Sequence, residues 1–100
     1  MIIEYTSPAI RDLEELRTYL AERSETGLRN VITDIQETAL SVSHSLSKGR
    51  KTSHDEVFEK VSKKYGYLLP YYIKGNTIYI LRVYHSSRKS LDYGKLISEK

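Results

Sequence analysis

The stretch that decides the fold is YLLPYYIKGNTIYILRVYHSSRK, residues 67–89. Apolar residues alternate with other types before the central KGNT, residues 74–77, and β-branched and aromatic residues dominate after it. Glycine and asparagine tolerate a positive φ at little cost, so this centre predicts a tight turn between antiparallel strands. The stretch therefore predicts a β-hairpin, followed by a basic exit that contains His85, Arg88 and Lys89.

Two helices are predicted upstream of the hairpin. Ser7 and Pro8 form a helix start, because a capping hydroxyl precedes a ring whose missing N–H has no partner there anyway. Residues 24–27 end the first helix and cap the second. A long apolar stripe over residues 28–46 then predicts the second helix, with Gly49 in the left-handed conformation after its end.

The order of these elements predicts the fold class. The connection between the helices is short, which favours an antiparallel helical hairpin. Residues 2–5 predict an opening strand, and residues 56–62 predict another strand before the hairpin. We therefore expect an α+β fold: an N-terminal strand and an antiparallel helical hairpin packed on a three- to four-stranded antiparallel sheet. Residues 1–90 are predicted to form one domain and residues 91–100 a C-terminal tail.

Composition narrows the setting and the kind of partner. The 100-residue chain has no cysteine, no apolar run of membrane-spanning length and no signal-like start, which predicts a soluble intracellular protein. Residues 1–46 hold four arginines against eight acids, whereas residues 47–100 hold twelve basic residues against five acids. This asymmetry predicts an anionic partner for the C-terminal half, either nucleic acid or an acidic protein surface. Solubility alone is the competing explanation for the lysines.

The histidines give little sign of metal or cofactor chemistry. His44, His54 and His85 are the three histidines, and none has metal-ligand spacing, so neither a metal site nor a cofactor is predicted. His85 stands apart because it ends a strand beside Arg88. For His85 a bond to nearby backbone and a functional role are both open.

Arg82 is predicted to be structural. It alternates with Leu81 and Val83 within a strand, so its side chain is expected to point away from the face that they share. An ion pair with an acid of the first helix or with Glu4 is the favoured interpretation over direct contact with a target.

Taken together, these features resemble the RelE/ParE toxin superfamily, and the ParE branch more closely than the RelE branch. The resemblance covers residues 2–90 and rests on three features. These are the helical hairpin, Gly49-Arg50 after the second helix, and the strand Ile-x-Ile-Leu-Arg-Val that leads to the ending His-x-x-Arg. It implies a RelE/ParE-like fold and a bacterial, cytoplasmic toxin of a type II toxin–antitoxin system.

The ParE branch implies a poison of DNA gyrase rather than an enzyme, with no catalytic residues and a role in plasmid stabilisation. It also implies a cognate antitoxin that holds the toxin in a hetero-oligomer. The candidate target-binding residues are basic or lie at the end of the sheet: Arg50, Lys51, His85, Arg88 and Lys89.

Two alternatives remain open. A RelE-type toxin is a ribosome-dependent mRNA endonuclease, and its catalytic residues in this chain would be His85, Lys89 and Tyr93. Against that reading, Tyr72 stands where the superfamily usually has an arginine, which removes a phosphate-binding charge. The other alternative is a non-toxic descendant that retains antitoxin binding alone.

Overall fold

The structure, a computed structural model, describes residues 1–44 and 49–87. Within these ranges the chain forms two helices and six strands: β1 (Ile2–Tyr5), α1 (Ser7–Ala21), α2 (Glu25–His44), β2 (Arg50–Lys51), β3 (Phe58–Val61), β4 (Tyr67–Lys74), β5 (Thr77–Ile80) and β6 (Tyr84–His85). Neither of these helices has the combination of length and apolar character that crossing a bilayer requires.

The strands form one sheet in the order β1-β5-β4-β3-β2, and β6 pairs with β4 beyond the end of β5. The helical hairpin packs on one face of this sheet, which confirms the predicted α+β fold class. The sheet differs from the prediction in two details. Within the described ranges it has six strands instead of three or four, because the two-residue strands β2 and β6 are too short for a sequence pattern to reveal. In addition, β1 runs parallel to β5, whereas an antiparallel sheet was predicted.

Both helices start at a hydroxyl cap. Thr6 caps α1, because the Ala9 N–H donates to its Oγ1, so the prediction of Ser7 as the cap was wrong by one residue. The Thr6 hydroxyl is buried and also lies 3.0 Å from the Leu81 carbonyl, which ties the helix start to the end of β5. Ser24 caps α2 as expected, since its Oγ accepts the Gly27 N–H at 3.0 Å.

The core lies between the helices and the sheet. Alternate residues of β4 face the two sides, with Leu69 and Tyr71 toward the helices and Tyr72 toward the opposite side. The helix-facing core consists of buried apolar side chains: Ala9, Val31, Ile35, Ala39, Val42, Leu69, Tyr71, Ile78, Ile80 and Val83. On the opposite side Val57, Tyr72 and Leu81 form a smaller buried cluster.

Asp34 is a buried carboxylate on α2 that the sequence did not single out. Its Oδ2 accepts the Tyr65 N–H at 3.0 Å, and its Oδ1 accepts the Lys64 N–H at 3.4 Å. These bonds fasten the turn between β3 and β4 to the helix. A buried carboxylate is tolerated there because backbone donors solvate it in place of water.

The predicted hairpin is present, and its second strand carries a bulge. Gly75 has a φ of +61° and is followed by a residue of negative φ, as in a type II′ turn. Tyr71 pairs with Ile80, whereas Leu68 pairs with Tyr84, so one extra residue is inserted between β5 and β6.

This bulge changes the direction in which the Arg82 side chain points. Leu81 lies in the cluster opposite the helices and Val83 in the helix-facing core, so these two residues do not share a face as predicted. Arg82 points toward α1, where it pairs with Asp12. The predicted ion pair with an acid of the first helix is thereby confirmed.

Candidate target-binding site

The structure divides the predicted site residues between two places. Arg50 and Lys51 form β2, an exposed edge of the sheet, whereas His85 lies on β6. Strands β3 and β4 lie between β2 and β6, so Arg50 and Lys51 do not form one cluster with His85. The remaining candidates lie outside the described residues: Arg88, Lys89 and Tyr93.

Gly49 allows the chain to approach β3 very closely. A Cβ atom at this position would lie 2.3 Å from the carbonyl oxygen of Glu59, a distance that no side chain accommodates. Among the described residues only Gly66 and Gly75 have a positive φ, so the predicted left-handed conformation of Gly49 was wrong. The position requires glycine because of close backbone contact.

Tyr71, a residue of the core, also holds Gly49 in position. The Gly49 N–H donates to Tyr71 Oη at 2.7 Å, and the Tyr71 ring stacks on Phe58 with centroids 6.0 Å apart. Burial raises the pKa of Tyr71 above its ordinary value, and the Gly49 hydrogen bond offsets part of that rise. The phenol is therefore protonated at neutral pH and accepts from the backbone.

Arg50 is held in place by Glu59. The two residues are opposite each other on β2 and β3, and Arg50 Nε donates to Glu59 Oε1 at 2.6 Å. The Arg50 side chain is 64% exposed, whereas that of Glu59 is 13% exposed. Since the recorded contact of the guanidinium within the described residues is through Nε, its terminal nitrogens remain available for an anionic group.

His85 lies at the other position and is already engaged. Its Nδ1 accepts the Ser87 N–H at 3.2 Å and lies 2.9 Å from Ser87 Oγ. The neutral ring consequently carries its proton on Nε2. The edge of the ring meets Tyr67, with centroids 5.5 Å apart at 89°. The bond to nearby backbone is therefore present, and the functional role of this exposed ring stays a prediction.

The Asp12–Arg82 pair braces α1 against the bulge. Arg82 donates from Nε to Asp12 Oδ2 at 2.6 Å and from Nη2 to Oδ1 at 2.9 Å, while the Val83 N–H also reaches Oδ2 at 2.9 Å. The hydrogen bond to Asp12 raises the pKa of Arg82 above its ordinary value. The guanidinium stays charged, and it is committed to the fold.

A cleft beside His85 was not foreseen from the sequence. It lies between α1 and the β4–β6 end of the sheet and has a volume of about 310 Å³. Its lining combines aromatic, aliphatic and acidic side chains: Asp12, Glu15, Leu16, Tyr19, Tyr67, Val83, Tyr84 and His85. Residues from distant parts of the chain form it, so no local pattern could have indicated it.

The described residues contain no group of three or more metal-ligating side chains placed to hold a metal ion. An active site built from His85, Lys89 and Tyr93 stays a prediction, because two of the three lie outside the described residues.

Comparison with known proteins places the chain in a family. Residues 3–90 match the family model of the ParE toxin of the type II toxin-antitoxin system, parDE. No curated protein matches the sequence significantly. The fold is similar to a solved chain of the chromosomal ParDE TA system from P. aeruginosa, with a TM-score of 0.72 and 22% identity over 85% of this chain and 95% of that chain. With the helical hairpin, the hairpin of strands and the family match in agreement, the chain belongs to the family of ParE toxins of type II toxin–antitoxin systems.

Proposed function

We propose that this ParE-type toxin inhibits DNA gyrase by direct protein contact in the bacterial cytoplasm. The family match over residues 3–90 carries this proposal. The proposed target-binding residues are those predicted from the sequence: Arg50, Lys51, His85, Arg88 and Lys89. Action by contact is consistent with the described part of this set, since Arg50 and His85 are separated by two strands.

The state of His85 also favours contact over catalysis. A general base needs a free ring nitrogen within hydrogen-bond reach of the proton that it removes. Nδ1 of His85 accepts from the backbone at Ser87, which leaves Nε2 as a donor in the neutral ring. A histidine in this state suits a hydrogen bond to a partner surface better than proton abstraction.

A cognate antitoxin is proposed to neutralise the toxin in a hetero-oligomer. Among the described residues strand β1 lies at an edge of the sheet, with Ile2 56% exposed, and Tyr19 beside the α1 cleft is 55% exposed. Open edges and apolar grooves accept an added strand or an amphipathic helix. The basic C-terminal half of the chain favours an antitoxin segment that is acidic.

The test is a supercoiling assay of DNA gyrase with the purified chain, run beside a ribosome-programmed mRNA cleavage assay. We expect loss of supercoiling or trapped cleaved DNA, with the mRNA intact. Codon-positioned cuts in the mRNA with unaffected gyrase would establish the endonuclease alternative instead. If neither assay responds and expression does not arrest growth, the chain is a non-toxic descendant.

A further inference from the structure

We propose that Arg50 is a preoriented binding site for one carboxylate of the protein target. Glu59, Tyr71 and Gly49 are positioning residues for that site. The inference rests on the proposed function and deepens it, because it names the chemical group that the β2 edge recognises and the residues that make the recognition possible.

The backbone of the site is set by two contacts that act together. The absence of a side chain at Gly49 lets the chain lie against the carbonyl of Glu59, where a Cβ would be 2.3 Å away. The Tyr71 hydroxyl, anchored in a fully buried side chain, accepts the Gly49 N–H at 2.7 Å. Contacts with β3 and with the buried Tyr71 thus fix the position of Gly49, and thereby the position of the Arg50 backbone next to it.

The side chain of Arg50 is oriented by one of its five N–H donors. The Nε–H donates to Glu59 Oε1 at 2.6 Å, and the side chain of Glu59 is only 13% exposed. A planar guanidinium held through Nε presents its terminal nitrogens as a fork that matches a carboxylate. Because this geometry exists before binding, less side-chain entropy is lost when the partner arrives.

The local charge favours a carboxylate on a protein over a nucleic acid. Residues 50–59 contain two basic residues and three acids, so this segment has no run of successive cations. Binding along a nucleic-acid backbone needs several cations that neutralise successive phosphates. A single guanidinium fork suits one bidentate contact with an acidic side chain.

The first measurement compares three full-length variants for inhibition of supercoiling and for growth arrest on expression. Arg50→Lys keeps the charge and removes the fork, so we expect a loss of potency of about tenfold, the scale of one charge-assisted hydrogen bond. Glu59→Gln keeps the shape but weakens the hold on Nε, and a loss of about threefold is expected. The matched control is Arg23→Lys, an exposed arginine that stacks on Tyr19, and its potency is expected to be unchanged.

A double-mutant cycle separates positioning from a merely structural role. If Glu59 acts through Arg50, then Glu59→Gln has no further effect on potency in the Arg50→Ala background. Equal losses from Glu59→Gln with and without Arg50 would overturn the proposal. Tyr71→Phe provides a second cycle with Arg50→Ala, because it removes only the hydroxyl that seats Gly49, and the same absence of a further loss is expected.

The two readouts also distinguish this inference from the proposed function. If growth arrest occurs while gyrase is unaffected, the gyrase proposal fails, and the cycle measured on growth arrest still decides the role of Arg50. Binding of a labelled DNA duplex that is lost in Arg50→Lys would replace the carboxylate with a phosphate and overturn the inference. A wild-type chain that neither arrests growth nor inhibits gyrase would overturn both.

Discussion

Two arginine–carboxylate pairs in this molecule share the same shortest distance and differ in nearly everything else. Arg82 Nε lies 2.6 Å from Asp12, and Arg50 Nε lies 2.6 Å from Glu59. The Asp12 pair uses two guanidinium nitrogens, and its side chains are 23% and 11% exposed. The Glu59 pair is joined through Arg50 Nε, and its arginine is 64% exposed.

The difference shows how surroundings decide what an ion pair does. The Asp12 pair joins residues 70 apart in sequence, is shielded from water and also binds the Val83 backbone, so it fixes α1 against the bulge. The Glu59 pair joins neighbouring strands at an exposed edge, where water competes with the contact. The first pair therefore stabilises the fold, whereas the second orients a side chain.

The largest expected effect comes from breaking the shielded pair. Arg82→Ala leaves the Asp12 carboxylate with little exposure and, among the described residues, with the Val83 N–H as its remaining donor, so we expect a loss of about 3 kcal/mol in the free energy of unfolding. Urea unfolding followed by circular dichroism measures it. Arg17→Ala, an exposed position on the same helix, is the control, with a change within about 0.5 kcal/mol. A loss from Arg82→Ala no larger than that of the control would refute the bracing role.

The next largest effect tests the seat of the exposed pair. Gly49→Ala places a Cβ against the backbone of β3, and we expect a loss of about 2 kcal/mol together with loss of toxicity. The same substitution at Gly27, in the first turn of α2, meets only the Ser24 side chain at 3.4 Å. Gly27→Ala should leave the unfolding midpoint unchanged or slightly raised. Equal effects at both glycines would contradict the close-approach argument.

A smaller effect is expected from the hydroxyl that accepts the Gly49 N–H. Tyr71→Phe removes that hydrogen bond, at a cost of about 1 kcal/mol at pH 7.

The same variant carries a pH signature. Burial raises the pKa of Tyr71 above 10.0 in the folded chain, so the folded state holds its proton more tightly than the unfolded state. That contribution to stability is complete below the unfolded pKa and is lost as the pH rises through the folded one. The advantage of the wild type over Tyr71→Phe should therefore shrink above about pH 10. Urea unfolding at pH 8, 9, 10 and 11 checks it, and a constant difference would contradict the assignment. Tyr5→Phe should act in the same direction, because burial raises the pKa of Tyr5 as well.

The smallest expected change in stability sharpens the comparison most. Arg50→Ala should alter the free energy of unfolding by less than about 0.5 kcal/mol, because its ion pair is exposed. Inhibition of gyrase by the same variant should fall strongly. Thermal unfolding and the supercoiling assay, run on the same preparation, measure both. If Arg50→Ala destabilised the chain as much as Arg82→Ala, the two pairs would have the same structural role.

Local patterns predicted the parts of the fold that depend on neighbours in sequence. Residues 74–77 formed the expected turn because Gly75 supplies the positive φ, and Ser24 capped α2 as its position suggested. The ion pair of Arg82 with an acid of the first helix was also predicted, since a strand arginine beside an acidic helix has few other partners, and the structure identifies the acid as Asp12.

The errors concern contacts between segments that are distant in sequence. Ser7 and Thr6 both carry a capping hydroxyl, and in the structure Thr6 caps the helix while its hydroxyl also reaches the end of β5. Gly49 was assigned a left-handed cap, since a sequence cannot show that β3 passes within contact distance.

By itself the sequence determined the two helices, the hairpin of strands and the α+β class, because periodicity and turn chemistry are properties of short segments. The family was indicated by resemblance and is shown by the match over residues 3–90. Tertiary structure decided the parallel placement of β1, the one-residue bulge and the different exposure of Arg50 and Arg82. These depend on which segments meet and how much water remains between them. The largely shielded guanidinium of Arg82 stabilises the fold, whereas the exposed guanidinium of Arg50 contributes little to stability and is proposed to bind a carboxylate.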